Sequence, residues 1–221
     1  SDAPALGVFE QAGQSVRGTF LTTTGDYRYL AGEFSQGRLR LSSFDGAHAF
    51  LFDARMQPDG TLRGDFWSRD TWHETWTADR AADDATLADG FSLVRARGPA
   101  DLAALRFPDL DGKPHSLAEV CGEAKVCVLE VFGSWCPNCH DASQFLSQVM
   151  KDYGPRGVRV VGLAFEYTGE RVQDAPRVRK FAERVNADYP ILYGGSADRD
   201  EIARKLPFMD RLGAYPTTII L

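Results

Sequence analysis

Hydrophobic and polar positions alternate along the first third of the chain and then change period. Through VRGTFLT, YRYLAGEF, RLRLSSF, AHAFLFDARM, TLRGDFWS and WHETWTA, within residues 15–80, apolar side chains recur at every second position, the pattern of half-buried strands. Between them stand TTGD, SQGR, FDGA, QPDG and SRDT, whose Gly, Asp, Ser and Thr supply positive φ or local side-chain caps at chain reversals. Six short strands at roughly ten-residue spacing predict an all-β antiparallel meander, closed into a small barrel or a two-layer sandwich. This β-rich domain is assigned residues 1–80. Residues 81–100, AADDATLADGFSLVRARGPA, are small and polar and read as a linker with a short helix or strand inside.

From residue 101 the pattern alternates between strand and helix. KVCVLEVFG is a continuous apolar run, as expected of a strand covered on both faces. A helix follows over 137–152, with Phe145, Leu146, Val149 and Met150 at helical spacing. VRVVGLAFE is a second buried strand, VRKFAERVN a second helix, SADRDEIARKL a third helix and TTIIL a final strand. Such alternation implies an α/β domain over 101–221 with parallel pairing and right-handed crossovers.

The chain has 221 residues, 43 % of them hydrophobic, enough for two modest cores. A net charge of −6 without clustered Lys and Arg argues against a nucleic-acid partner. No run reaches the roughly 18–20 apolar residues of a membrane-spanning helix. The opening SDAPALGVFEQAG lacks an initiating Met and a secretory signal, as a processed or trimmed chain would.

Four cysteines are too few for a disulfide-stapled scaffold of this length, so their spacing matters more than their number. Trp135-Cys136-Pro137-Asn138-Cys139 falls where a buried strand gives way to a helix. Two cysteines on a first helical turn can close a small disulfide ring. The unpaired N–H groups and positive dipole end of that helix favour a thiolate at Cys136, lowering its pKa from about 8.5 into roughly 3.5–7.5. Pro137 sacrifices no hydrogen bond there. Cys136 is therefore expected to be the exposed nucleophile, and Cys139, one turn further in, the resolving thiol. A zinc site would need a second Cys/His pair at ligand spacing, which the sequence lacks. With His140 the motif also satisfies the c-type haem attachment pattern, but the preceding buried strand and Pro137 fit haem poorly. No cofactor is expected beyond the Cys136–Cys139 dithiol/disulfide itself, and His140 reads as a first-turn helix residue.

GSWCPNC after VCVLEVF resembles the thioredoxin superfamily, specifically its exported TlpA-like and ResA-like members. FPDLDGKPHSL resembles the family's lead-in hairpin, GVRVVGLAFE its second strand, and AYPTTIIL its cis-proline loop, with Pro216 beside the disulfide. The β-rich first part resembles accessory domains found ahead of some TlpA-like domains. The resemblance implies a thioredoxin-like fold that stops short of the family's last strand and helix. An open sheet edge of that kind suggests pairing with a second copy.

The family's functional pattern carries over residue by residue. Tyr215 and Pro216 would present backbone to an extended substrate segment, with Pro137 and Asn138 at the same surface. Glu130, six residues before Cys136, matches a buried acid that assists proton transfer at the resolving thiol; burial would raise its pKa. Trp135 would shield the disulfide. The implied activity is thiol–disulfide exchange with other proteins, more often as a reductant, served by a soluble or membrane-held thiol reductant. The implied setting is outside the cytoplasm, periplasmic or membrane-anchored. Two alternatives are a peroxiredoxin-type peroxidase, which shares FPDLDG but lacks its Thr-containing motif here, and a binding module whose CxxC is a structural clip.

Some positions depart from the pattern or stay open. Many TlpA-like proteins carry a Glu where this chain has Ala142. Glu166 ends a strand, either approaching the site or capping the following segment. Cys121 and Cys127 form a second disulfide or stay free; because Cys127 alternates into a core strand, buried inert thiols are favoured. Trp67, Trp72 and Trp76 read as packing residues rather than a ligand platform. His48, His73 and His115 share no ligand spacing.

Overall fold

In the computed structural model, which describes residues 4–46, 48–210 and 212–221, the alternating segments become one antiparallel sheet. Its strands are β1 (Ala5–Ala12), β2 (Ser15–Thr22), β3 (Gly25–Asp26), β4 (Leu30–Ser35), β5 (Arg38–Phe44), β6 (Ala49–Met56), β7 (Leu62–Ser68) and β8 (Trp72–Ala78). The order is β1-β2-β4-β5-β6-β7-β8, with the short β3 pairing β2. Among the described residues no ladder joins β1 to β8, so the meander is an open half-barrel in a single sheet. The alternation passed over β1, whose ALGVFEQA is too small and polar to mark a core face.

One face of this sheet buries Val16, Phe20, Leu30, Leu39, Leu41, Phe52, Ala54 and Phe66. Phe52 and Phe66 are direct partners across the β6–β7 ladder and stack with centroids 4.5 Å apart. Phe20 meets Phe52 at 4.9 Å and Trp76 at 5.4 Å. Such cross-strand aromatic pairs are what hold an antiparallel sheet to one register. Of the three tryptophans read as packing residues, Trp76 joins this core and Trp67 stacks on His73 at 5.1 Å. Trp72, in the first position of β8, is 57 % exposed and does neither.

The chain divides into two units, Ser1–Gly90 and Phe91–Leu221. Residues 91–100 of the stretch read as a linker lie in the second: Ala96 bridges Met209, and Arg97 donates its N–H to the Phe208 carbonyl at 2.7 Å. The second unit continues with β9 (Arg106–Pro108), β10 (Pro114–Ser116), α1 (Leu117–Cys121), β11 (Val126–Phe132), α2 (Pro137–Tyr153), β12 (Val158–Glu166), α3 (Arg171–Arg184), β13 (Ile191–Ser196), α4 (Arg199–Lys205) and β14 (Thr217–Ile220). Its main sheet runs β13-β12-β11-β14, the first three parallel and β14 antiparallel to β11. The apolar runs read as doubly covered strands are buried along nearly their whole length. No described helix is long and apolar enough to cross a membrane.

Two readings are corrected here. Phe145 is 67 % exposed: the buried face of α2 is Cys139, Ser143, Leu146 and Ser147, and all of these but Leu146 are small or polar residues that hydropathy does not single out. Cys121 and Cys127 are not free thiols but a disulfide. Gly122, at φ 57°, turns the chain sharply after α1, leaving the two Cα atoms 5.6 Å apart, within bridging range.

Candidate active site

Cys136 is the N-cap of α2, with extended backbone (φ −93°, ψ 120°), and Pro137 opens the first turn. The Cys139 N–H donates to Cys136 Sγ at 3.3 Å, so the sulfur occupies the place of an N-capping oxygen. The thiol also lies 3.7 Å from the Tyr215 carbonyl oxygen, to which it donates. The Tyr215–Pro216 peptide bond is cis. Both cysteines are free thiols. The expectation of an exposed Cys136 is corrected: it is only 5 % exposed and Cys139 not at all, both lying in a buried cluster with Phe132, Ala164 and Phe181 against which Trp135 and Tyr215 pack.

The two thiols are driven apart in acidity. Hydrogen bonding from the Cys139 thiol and from the Cys139 and Asn138 N–H groups holds the Cys136 pKa below that of an ordinary thiol, against the opposing effect of burial. Burial, with the neighbouring Cys136, pushes Cys139 well above it. This is the division that sequential attack requires: one sulfur the easier to ionise, the other held protonated.

Glu130 lies in the middle of β11, completely buried. Ser143 Oγ, one turn beyond Cys139 on α2, donates toward both its oxygens at 2.8 and 3.0 Å, and the Tyr189 hydroxyl donates at 3.3 Å. Burial raises the carboxyl to about 7, while these hydrogen bonds restrain the rise. Its charge acts on both thiols, raising Cys139 and Cys136. Ser143 and Tyr189 were invisible to sequence reasoning; a serine one helical turn after a CxxC, facing a strand acid, is the signal that would have found the first.

The three residues between β11 and Cys136 are fastened by the end of β12. The Ser134 N–H and hydroxyl donate to the two oxygens of Glu166 at 2.7 and 2.8 Å, and Trp135 Nε1 donates to the Phe165 carbonyl at 3.1 Å. Glu166 thus faces the active-site loop and does not cap the following segment. Gly133 leaves room for this fold-back: a Cβ there would lie 2.3 Å from Trp135 Nε1. The indole stacks on Tyr167 at 4.4 Å and meets Tyr215 edge-on at 5.0 Å. Tyr167 is 70 % exposed and escaped the sequence reading, as did Ser134. The Tyr215 hydroxyl is buried without a hydrogen-bond partner among the described residues. His140, in the first turn of α2, lies edge-on to Phe181 at 6.2 Å. Among the described residues no group of three or more His, Cys, Asp or Glu is placed to hold a metal ion.

A dithiol at the start of the helix leaving a central parallel strand, on this sheet order, defines a thioredoxin-like fold with a thiol–disulfide redox site. Residues 99–221 match the model of the AhpC/TSA family, and the chain belongs to that family. Among solved structures it is similar to a secreted disulfide oxidoreductase of Mycobacterium tuberculosis homologous to E. coli DsbE (22 % identity, 55 % of this chain, 86 % of that one, TM-score 0.39). It is also similar to a thioredoxin-family thiol:disulfide interchange protein from Chlorobium tepidum TLS (25 %, 56 % and 79 %, TM-score 0.41). A third is a thiol-disulfide oxidoreductase from Bacteroides fragilis (15 %, 52 % and 78 %, TM-score 0.42). No curated protein matches the chain.

Proposed function

We propose that the protein reduces disulfide bonds in other proteins, with Cys136 as nucleophile and Cys139 as resolving thiol. The observation that carries this reading is the 3.3 Å hydrogen bond from the Cys139 N–H to Cys136 Sγ, which puts the first sulfur on a helix N-terminus. The Cys136 thiolate attacks one sulfur of the partner's disulfide; a mixed disulfide forms and the partner's other sulfur leaves as a thiolate. Glu130, as carboxylate, takes the Cys139 proton. Cys139 then attacks Cys136 Sγ, the second partner sulfur leaves, and the Cys136–Cys139 disulfide holds the loss of two electrons that the partner gained. A carboxyl near 7 is suited to pass that proton in both directions.

Tyr215, with Pro216 behind it, offers its carbonyl beside Cys136, and Pro137, Asn138 and the Trp135 ring complete the surface on which an extended substrate segment would lie. The disulfide left on the enzyme must be returned to dithiol by a thiol reductant, soluble or membrane-held. A TlpA-like role outside the cytoplasm, in the periplasm or at a membrane surface, accords with the Cys121–Cys127 disulfide, since structural disulfides persist in oxidising compartments.

Titrating the Cys136–Cys139 couple against glutathione or dithiothreitol buffers tests the direction. A potential near −270 mV, about that of thioredoxin, is expected; one above about −150 mV would make the protein an oxidase or isomerase. Hydrogen peroxide consumption without any dithiol partner would favour a peroxidase instead.

A further inference from the structure

We infer that Glu166 is a positioning residue for the redox dithiol, acting through Ser134; the inference rests on the thiol–disulfide reading above. Glu166 is the last residue of β12, buried to 2 % exposure, and each of its oxygens takes one hydrogen from Ser134. Ser134 stands two residues before Cys136 in a segment that belongs to neither strand nor helix. The adjacent Phe165 takes the Trp135 indole N–H, so consecutive residues of β12 hold consecutive residues of the loop. A buried carboxylate is costly unless fully hydrogen-bonded, and here the loop itself supplies the bonds.

The neighbouring carboxylate Asp174 is satisfied separately, by Thr168 Oγ1 at 2.7 Å, the Tyr193 hydroxyl at 2.8 Å and Arg177 at 3.4 Å. It does not compete for Ser134. Two carboxylates on adjacent strands therefore serve different parts of the site. Glu130 on β11 addresses Cys139 and its helix. Glu166 on β12 fixes the approach to Cys136, and with it the alignment of Cys136 Sγ on the Cys139 N–H.

Positioning and charge predict opposite signs. Were Glu166 only a nearby negative charge, its removal would make the Cys136 thiolate easier to form. If it holds the loop, its removal loosens Sγ from the helix N-terminus and makes the thiolate harder to form. The test is the pH profile of Cys136 alkylation by iodoacetamide, with insulin reduction alongside, in wild type, Glu166→Ala, Glu166→Gln and Ser134→Ala. Glu166→Ala is expected to raise the alkylation midpoint by about one pH unit and slow insulin reduction about tenfold, misplacement at a reacting centre being worth 10–100-fold. Glu166→Gln, still able to accept the Ser134 N–H, should recover part of the loss.

A midpoint that stays put or falls in a folded Glu166→Ala protein overturns the inference. If that variant does not fold, unchanged midpoints in both Glu166→Gln and Ser134→Ala do the same, and a raised midpoint in either supports it. Should wild type itself fail to reduce insulin, the oxidoreductase reading falls, while the alkylation midpoints still report on the positioning.

Discussion

Cys127, near the start of β11, is closed onto Cys121, whereas Cys136, just beyond the strand's far end, stands beside Cys139 as a free thiol. The same strand thus carries a cysteine pair at each end, and their surroundings differ in ways that matter chemically. Cys121 terminates the short helix α1, where the dipole's negative end opposes a thiolate; Cys136 begins the 17-residue α2, where the positive end favours one. Glu119, near the first pair, is taken up in the Ser116 capping box of α1, while the buried Glu130 lies by the second with Ser143 and Tyr189 arranged around it. Burial does not separate the two, since all four cysteines are buried. A sulfur held at a helix N-terminus and a buried acid beside it do.

The harshest way to break this comparison is to exchange the roles. Cys136→Ser is expected to abolish disulfide exchange, and Cys121→Ser/Cys127→Ser to keep the folded protein's rate within about twofold of wild type. Insulin reduction by the two variants measures both. Equal losses would show that the pairs work as one system and would remove the distinction.

A second test concerns the acid that only one pair possesses. Glu130 is raised from its ordinary 4.5 to about 7 in the folded protein, so between those values the folded state binds a proton that the unfolded state has released. Its contribution to stability is fully present below about pH 4.5 and is lost as pH rises to about 7. The loss amounts to about 3 kcal/mol at 1.36 kcal/mol per pH unit. Denaturant unfolding from pH 4.5 to 8 should show this decline in wild type and a correspondingly flatter profile in Glu130→Gln. Parallel profiles would mean that Glu130 is not a buried titrating acid.

The other end of the strand should answer to stability alone. Removing the Cys121–Cys127 link, which closes a loop of sequence separation 6, is expected to cost about 2 kcal/mol by the loop-entropy relation. Its midpoint shift in urea should be nearly independent of pH, in contrast with Glu130→Gln.

How far the sequence foretold this contrast depends on which interaction made each feature. The strands β11 and β12 were legible because double-sided burial leaves an unbroken apolar run, and the motif was legible because Cys-Pro-Asn-Cys at a strand–helix junction has few other uses. Glu130 stood out as an acid inside such a run. The Cys121–Cys127 bond was not legible, since it depends on a backbone turn at Gly122 that hydropathy cannot register. Ser134, Ser143 and Tyr189 were missed for a related reason. Each is an ordinary polar or aromatic residue whose role comes from a partner 13 to 59 positions away.

The smallest effect is the sharpest test of the acid's tuning. Ser143 Oγ donates toward both oxygens of Glu130, and this bond draws the carboxyl back toward its ordinary value against the effect of burial. A hydrogen bond to a carboxylate favours the ionised form, so Ser143→Ala should push Glu130 above about 7. The pH window over which stability declines would then extend upward by about one unit, worth about 1.4 kcal/mol. The proton transfer from Cys139 should shift with it, visible as a higher pH midpoint for resolution of a mixed disulfide formed on Cys136. In Glu130→Gln the same Ser143→Ala change should move neither midpoint, because the group being tuned is gone. A midpoint shift that survives in the double variant would mean that Ser143 acts on the thiols directly. The acid at this end of β11 would then be a packing feature, and only the helix N-terminus would distinguish the two cysteine pairs.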